Sequence, residues 1–556
     1  MHLGKKMYGK WNLQSIIVAI CIMFVCIGTQ RIQTVKWDSG LIDLSRDSLG
    51  IWMAIIIMTN YKWSDFVKYR KVYGIWTVLG LTLGLLFTPI VITKRLPYLA
   101  ADTAIIALGI FLMGYCVIHT LISFFLEGYR PRAYKPLLII WTVMMLWMII
   151  SRSNYLWPLC YFVLFLCYYM TEQTTEQRFH TINGMLNGMI AGFILIQAHA
   201  LLCRPYDIVR YQGNFCNPNH NCMFLCMCLV AIWGKILILT KQGGQRLAKV
   251  FCYLLAGACL SLICMTVCRS GYLTTFVVTV FFLISYSVIR RKCMFFRMGI
   301  VLVLVFAVLF PATYAAVRYV PTIHPHVVFY YQEGYSESRV HSWDPRDSGK
   351  FISFEVLIDQ IFGRIDLARE LPVEETIAEE PVVSLSPMVP ASKDILLVSN
   401  GPTLSLGGQI PLEYEVPETD PDKIPALTPE EAASAFTVRY TIYKWYWDHL
   451  SLFGMPYDEQ GFQLTETHWI QDTHNIYLDY GINFGWPAMI LFTVFIWWGI
   501  GRLAKRGFKE GDVKKMACLL IALVPPVFGL FEFSWGAGMI STVAFYLSFK
   551  EMVIKE

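Results

Sequence analysis

Apolar runs of roughly 15 to 22 residues recur along this chain from Trp11 to Phe549, each about the length a helix needs to cross the hydrocarbon core of a bilayer. That repetition leaves few folds open. Of 556 residues, 56% are hydrophobic and only 15% charged, which is too apolar for a soluble multidomain protein. We read about fourteen runs, within a range of about twelve to fourteen. They lie near 12–29, 48–60, 72–92, 99–126, 136–150, 155–170, 182–202, 222–240, 250–268, 272–289, 298–318, 485–501, 516–531 and 535–549. The expected fold class is an all-α polytopic membrane protein.

The first run follows Lys5, Lys6 and Lys10, lacks a small-residue cleavage site and precedes further runs, so it reads as a retained helix. Lys and Arg are retained on the cytoplasmic side of short loops. With the N-terminus inside, one alternating set of loops carries Lys62, Lys68, Arg70, Lys71, Arg130, Arg132, Lys135, Lys241, Lys249, Arg290, Arg291, Lys292, Lys505, Arg506, Lys514 and Lys515. The expected organisation is then spans 1–11 over 1–318, a large extracytoplasmic loop over 319–484, and spans 12–14 with a cytoplasmic C-terminus over 485–556. The sixteen cysteines fall mostly in apolar runs and none lies between Arg318 and Trp486, so they read as small core residues and leave the loop without a disulfide framework.

A net charge of +6 hides a division between basic cytoplasmic loops and an acidic external loop, with Glu374, Glu375, Glu379 and Glu380 in the latter. Nothing in that pattern points to nucleic acid. The middle of the loop, about 371–431, is Pro-rich and acidic, and reads as irregular. Its flanks, 351–370 and 432–453, have apolar residues at helical spacing and end near Gly363 and Gly454. The second flank bears Tyr440, Tyr443, Trp445, Tyr446 and Trp447, suited either to the membrane interface or to stacking on sugar rings.

Three segments placed outside by this topology carry candidate chemistry. The first runs from Arg210 through Gly213 and Asn214 to Asn217-Pro218-Asn219. Asn217 and Pro218 suit a helix start, whose free amides also attract anions. The second is the tight turn Cys268-Arg269-Ser270-Gly271. An arginine there gains nothing from cytoplasmic retention; it reads as a structural anchor or as a phosphate ligand, since the planar guanidinium pairs bidentately with phosphate oxygens. Arg210 and Arg439 offer the same chemistry from other external segments. The third is Asp472-Thr473-His474-Asn475, where a neutral imidazole can take a proton from an attacking hydroxyl, or can serve as a satisfied structural histidine. No histidine set has metal-ligand spacing, and no Gly-Lys phosphate loop is present.

Taken together these segments resemble the O-antigen ligase and Wzy-type polymerase family of bacterial envelope glycan assembly. The resemblance is carried by Arg210, Gly213 and Asn217-Pro218-Asn219, by Arg269-Ser270-Gly271, by Arg439 leading to Phe453-Gly454, and by His474-Asn475, Tyr477-Leu478 and Phe484-Gly485. It covers about 183–498 without the middle of the loop. The family resemblance implies a GT-C-like fold in the bacterial cytoplasmic membrane. It also implies metal-independent, inverting glycosyl transfer without a cofactor, from a polyprenyl-diphosphate-linked donor to a glycan or lipid acceptor. Arg210, Arg269 and Arg439 would bind the diphosphate and His474 would assist the acceptor hydroxyl, with Gly213, Asn217, Asn219, Ser270 and Asn475 in support. Membrane lipids and other envelope polysaccharide assembly proteins are the implied partners.

This sequence departs from the family pattern at Cys268, where Ser is more usual, at Asn483, where an acid is common, and in its long loop. Two rival classes stand beside the enzyme: a transporter or flippase for lipid-linked glycan, and a non-catalytic envelope scaffold. The absence of internal repeats weakens the transporter reading.

Overall fold

The computed structural model describes residues 12–30, 44–93, 97–131, 133–153, 157–203, 210–215, 217–320, 357–358, 361, 427–428, 435–456, 459–465, 468–532, 536 and 538–554. The first part of the chain contributes α1 (Leu13–Thr29), α2 (Leu49–Met58), α3 (Trp63–Lys68), α4 (Arg70–Thr93), α5 (Pro97–Leu121), α6 (Lys135–Ile149) and α7 (Trp157–Met170). Then come α8 (Thr175–Cys203), α9 (Pro218–Gln242), α10 (Arg246–Met265), α11 (Arg269–Arg290) and α12 (Phe295–Tyr319). The last part holds α13 (Ala435–Asp448), α14 (Ile476–Phe484), α15 (Trp486–Glu510), α16 (Val513–Phe528) and α17 (Ile540–Val553). Of the 351–370 flank only 357, 358 and 361 belong to the described residues, where they are helical; the rest of it, and all of the 371–431 middle except 427 and 428, lies outside them.

Among the described residues, seven helices are long and apolar enough to cross a membrane: α8 to α12, α15, and α5 with its continuation to Leu126. The chain is thus a multi-pass helical membrane protein. Four further apolar helices, α1, α2, α6 and α7, are shorter. Among the described residues one paired element is not helical. Phe462–Thr465 (β1) and His468–Ile470 (β2) pair antiparallel, with Phe462 opposite Ile470. β1 buries Phe462 and Leu464 against Ile442 and Tyr446 of α13 and Leu478 and Ile482 of α14. Tyr446 of the aromatic stretch is therefore core, while Tyr440 and Trp447 remain exposed.

A helix that is apolar all round belongs in the interior of a bundle, and α9, α16 and α17 behave so. Every residue of α16 and α17 is buried, and α9 packs against both as well as against α8, α10 and α11. The periphery is marked by outward Phe276, Val303, Leu304 and Val308, the apolar surface expected to meet lipid. On the α1 side, Gly184, Gly188 and Gly192 let α8 approach backbone to backbone; a Cβ at Gly188 would stand 2.5 Å from the Ala19 carbonyl oxygen. Pro525 and Pro526 withdraw two amide donors from the last turn of α16, which ends at Phe528 and releases the chain into the turn before α17.

Charges lock one end of this core. Arg178 of α8 donates from Nη1 to both carboxylate oxygens of Glu551 on α17, at 3.0 and 3.2 Å, with both side chains almost fully buried. Lys550 donates to the carbonyls of Tyr168 and Thr171 at 2.7 and 2.8 Å. Lys515 of α16 pairs with Glu510 and Asp512. Substituting Glu551→Ala takes the carboxylate away from an almost fully buried guanidinium, and should cost about 3–5 kcal/mol. The expected outcome is a lower unfolding temperature of the purified protein in detergent; an unchanged temperature would show that water already compensates Arg178.

Candidate functional site

The opposite end of the bundle gathers the residues that the sequence motifs single out. After α8 the chain crosses to the end of α10, where the Tyr211 amide donates to the Met265 carbonyl at 2.8 Å and Arg210 Nε donates to that of Thr266 at 2.8 Å. Gly213 permits the crossing: its φ is +56°, and a Cβ there would press on Asn221 Nδ2 at 3.2 Å. Asn217 then caps α9, its side chain accepting from the Asn219 amide at 2.8 Å, with Pro218 in the first turn. That start turns the Asn219 side chain toward Arg210, whose Nη2 donates to its Oδ1.

The turn between α10 and α11 is three residues long, and Val267 occupies the left-handed region at φ +48°. A β-branched residue is strained there, which marks the turn as held by its surroundings. Cys268 and Ser270 are buried, whereas Arg269 is exposed at the start of α11 and makes no hydrogen bond or ion pair among the described residues.

Both remaining segments converge on Glu532, in the turn after α16. Its Oε1 accepts from Asn219 Nδ2 at 2.8 Å and from Arg439 Nη2 of α13 at 3.0 Å. Its Oε2 stands 3.4 Å from Nδ1 of His474. Arg439 also donates to the Phe531 carbonyl. One turn further along α13, the Tyr443 hydroxyl spans the carbonyls of His474 and Leu530 at 3.2 and 3.4 Å. Asn475 caps α14 by accepting from the Tyr477 and Leu478 amides and donates to the Leu530 carbonyl at 2.9 Å. His474 itself sits at φ +48° and is fixed in place between these two anchors.

Behind this arrangement lies an elbow built from the two Phe-Gly pairs. Gly454 and Gly485 both have positive φ, and a Cβ on Gly485 would lie 2.0 Å from the Leu452 carbonyl oxygen. The Trp486 amide donates to the Ser451 carbonyl at 3.0 Å, so the two Phe-Gly segments lie directly against one another where α14 meets α15. Asn483, in the position where an acid is common in the resembling family, accepts from Gln460 and donates to Asp479. Burial and the nearby Asp472 push the Asp479 carboxyl up to about 8, partly offset by Asn483, so an acidic group that holds its proton near neutral pH stands one helical turn before this position.

A carboxylate oxygen can only accept, so the contact with Glu532 puts the proton of a neutral His474 on Nδ1 and leaves the Nε2 lone pair free. Burial acts against the charged imidazole, but the hydrogen bond and charge of Glu532, with help from Asp472, outweigh it and raise the His474 pKa above its ordinary value. Burial likewise opposes the Glu532 carboxylate, and His474 and Arg439 outweigh it, holding the carboxyl below its usual range. Arg210, Arg269 and Arg439 still bring more positive charge than Glu532 and Asp472 neutralise, so this end of the bundle is suited to an anion. Among the described residues no group of three or more His, Cys, Asp or Glu side chains is placed to hold a metal ion.

The structure thus brings Arg210, Asn219, Arg439 and His474 into one network, uses Gly213, Asn217 and Asn475 to shape it, and leaves Arg269 at its exposed rim. Glu532 escaped the motif reading. A signal for it existed: it is the one charged residue between Lys515 and Lys550, and an isolated acid in so apolar a stretch marks a functional position. Compared with protein-family models, characterised proteins and solved structures, the chain matches none of them.

The raised imidazole contributes stability that is present below the ordinary histidine pKa and lost as pH rises through the folded value. The lowered carboxyl contributes stability that is present above the ordinary glutamate pKa and lost as pH falls through its folded value. The ion pair is therefore strongest in the window between these limits. Glu532→Gln removes the anion and leaves burial as the main influence on His474, so the imidazole should lose its proton at lower pH. Histidine-ring NMR of the protein in micelles reads this midpoint directly; a midpoint unmoved by Glu532→Gln contradicts the pairing.

Proposed function

We propose that this chain is a membrane glycosyltransferase that transfers or polymerises a glycan carried on a polyprenyl diphosphate. In this reading it works at the outer face of the bacterial cytoplasmic membrane, in a GT-C-like bundle of about fourteen spans. The observation that carries the reading is the joining of a cationic cluster to a histidine whose Nε2 is left free by a carboxylate on Nδ1. A polyprenyl diphosphate keeps its hydrocarbon in the bilayer and presents its charge at the surface, which is where such a cluster meets it.

Arg269 meets the diphosphate first, because its guanidinium is exposed and uncommitted among the described residues. Arg210 and Arg439 hold fixed positions behind it. As the bond between the anomeric carbon and the diphosphate oxygen breaks, negative charge grows on the leaving group, and guanidinium groups already in place stabilise that charge more than they stabilise the intact donor. The acceptor hydroxyl attacks from the opposite face of the sugar and passes its proton to His474 Nε2, giving inversion. Glu532 keeps the imidazole oriented and stabilises the imidazolium that forms. The diphosphate is the leaving group, so no nucleotide sugar is consumed. A glycan hydroxyl as acceptor gives polymerisation, and an envelope lipid gives ligation.

The variants His474→Ala and Arg269→Ala separate the two roles. Loss of a general base should lower kcat by roughly 10²–10⁴-fold, while loss of the exposed arginine should raise the donor KM and lower kcat. Transfer by the purified protein, with a lipid-linked donor and acceptor and with products resolved by gel, checks both. Full transfer by both variants would overturn the proposal, and binding of donor without turnover by the unaltered chain would favour a scaffold.

A further inference from the structure

We propose that the bundle binds the phosphate of a membrane lipid at Lys235, at the end of the spanning region remote from His474. From Asn221 to Thr240 the central helix α9 is buried at every position except Lys235, which is half-buried. The only opening onto this stretch of α9 is therefore at a lysine. Its Nζ donates one hydrogen bond, 2.7 Å to Oδ1 of Asn183 on α8, and no carboxylate pairs with it among the described residues. Asn183 spends its own amide on the Ser15 hydroxyl at 3.2 Å. One turn further along α8, half-buried Asn187 makes no hydrogen bond among the described residues.

An ammonium offers three donors, and an isolated charge or unpaired amide at membrane depth is unfavourable. A phosphate oxygen answers both: it supplies the missing charge to Lys235 and an acceptor to Asn187. Depth and surface chemistry favour a lipid over a free anion as its source. Lys235 follows Pro218 by seventeen residues, about 26 Å along the helix axis, against a hydrocarbon core of about 30 Å. A lysine stem reaches several Å further, which brings its ammonium to the headgroup level of the leaflet opposite the Glu532 cluster. On α8 the stripe that begins with Asn183 and Asn187 continues at helical spacing through Ala191 to exposed Ile194, so polar groups give way to apolar ones toward the bilayer centre. A phospholipid has that same order of headgroup and acyl chain.

The test uses the full-length protein in nanodiscs doped with phosphatidylglycerol or with diacylglycerol of the same chains, and native mass spectrometry of the lipid retained after delipidation. Phosphatidylglycerol should be retained and diacylglycerol should not. Lys235→Met should lower retention roughly fivefold or more, Asn187→Leu should lower it less, and Lys235→Arg should keep it. Asn187→Leu lies on the accessible side of α8 and keeps the test informative if Lys235→Met does not insert. Retention unchanged in both weakened variants, or equal retention of diacylglycerol, overturns the proposal. Displacement by millimolar inorganic phosphate overturns it too, since it would show an anion site open to water. Lipid retention does not depend on glycan transfer, so either proposal can fail alone.

Discussion

A buried carboxylate is the constraint on which this architecture turns. Glu532 has lost most of its water, and an ion so placed persists only if donors and opposite charge replace that water. The replacements come from segments far apart in the chain: Asn219 from the start of α9, Arg439 from α13, and His474 from the loop before α14. Each is itself fixed by backbone, through the Asn217 cap, the Phe531 carbonyl and the Asn475 cap. Satisfying one acid thus sets the relative positions of three helices and two loops. The same acid sets the tautomer of His474 and part of its proton affinity, so site chemistry and local fold are the same physical problem.

The remainder of the bundle works as a frame for that acid. Glu532 follows α16 closely, and both α16 and α17 are buried at every position, so the helix that carries it is enclosed by its neighbours. The other ends of these helices are pinned by Arg178, Lys550 and Lys515. Close packing of apolar side chains holds the helices together in lipid, but such contacts are non-directional and tolerate sliding. Charges at the two ends remove that tolerance. Pro525 and Pro526 help place the turn at the level of the α9 start by ending α16 where they do.

Much of this was legible in the sequence, for physical reasons that differ by feature. Apolar runs announce helices because lipid forbids an unpaired backbone, and Asn217 and Asn475 announce helix starts because their side chains accept from amides that lack an intrahelical acceptor, while Pro218 has no amide to satisfy. Glu532 was not legible from motifs because its role depends on three partners from distant segments, and no local pattern encodes such a convergence. The left-handed backbones of Val267 and His474 were hidden likewise, since neither residue type favours that conformation and only tertiary contacts impose it. The β hairpin was missed because its strands, of four and three residues, are too short to show a period of two. That hairpin also decides the fate of the aromatic stretch: Tyr446 went into the core because β1 covers it, whereas Tyr440 and Trp447 stayed outside.

A long insertion between α12 and α13 is compatible with a precise site. The entropic cost of closing a chain segment grows only with the logarithm of its length, about 0.6 kcal/mol for each doubling. What the site requires of the insertion is its returning end, and α13 meets that requirement with two side chains one turn apart. Arg439 joins Glu532, and Tyr443 bridges the His474 and Leu530 carbonyls. α13 is further seated by Ile442 and Tyr446 against α14 and β1, an apolar anchorage independent of the charges. Two described residues between Tyr319 and Ala435 are tied in as well: Leu357 is buried in the main core, and Leu427 packs beside Tyr446 and Leu478 while its amide donates to the Leu464 carbonyl at 2.9 Å. The site therefore receives the returning chain through three kinds of contact, the ion pair with Glu532, the Tyr443 hydroxyl and this apolar packing, so that no single one of them has to place α13 alone.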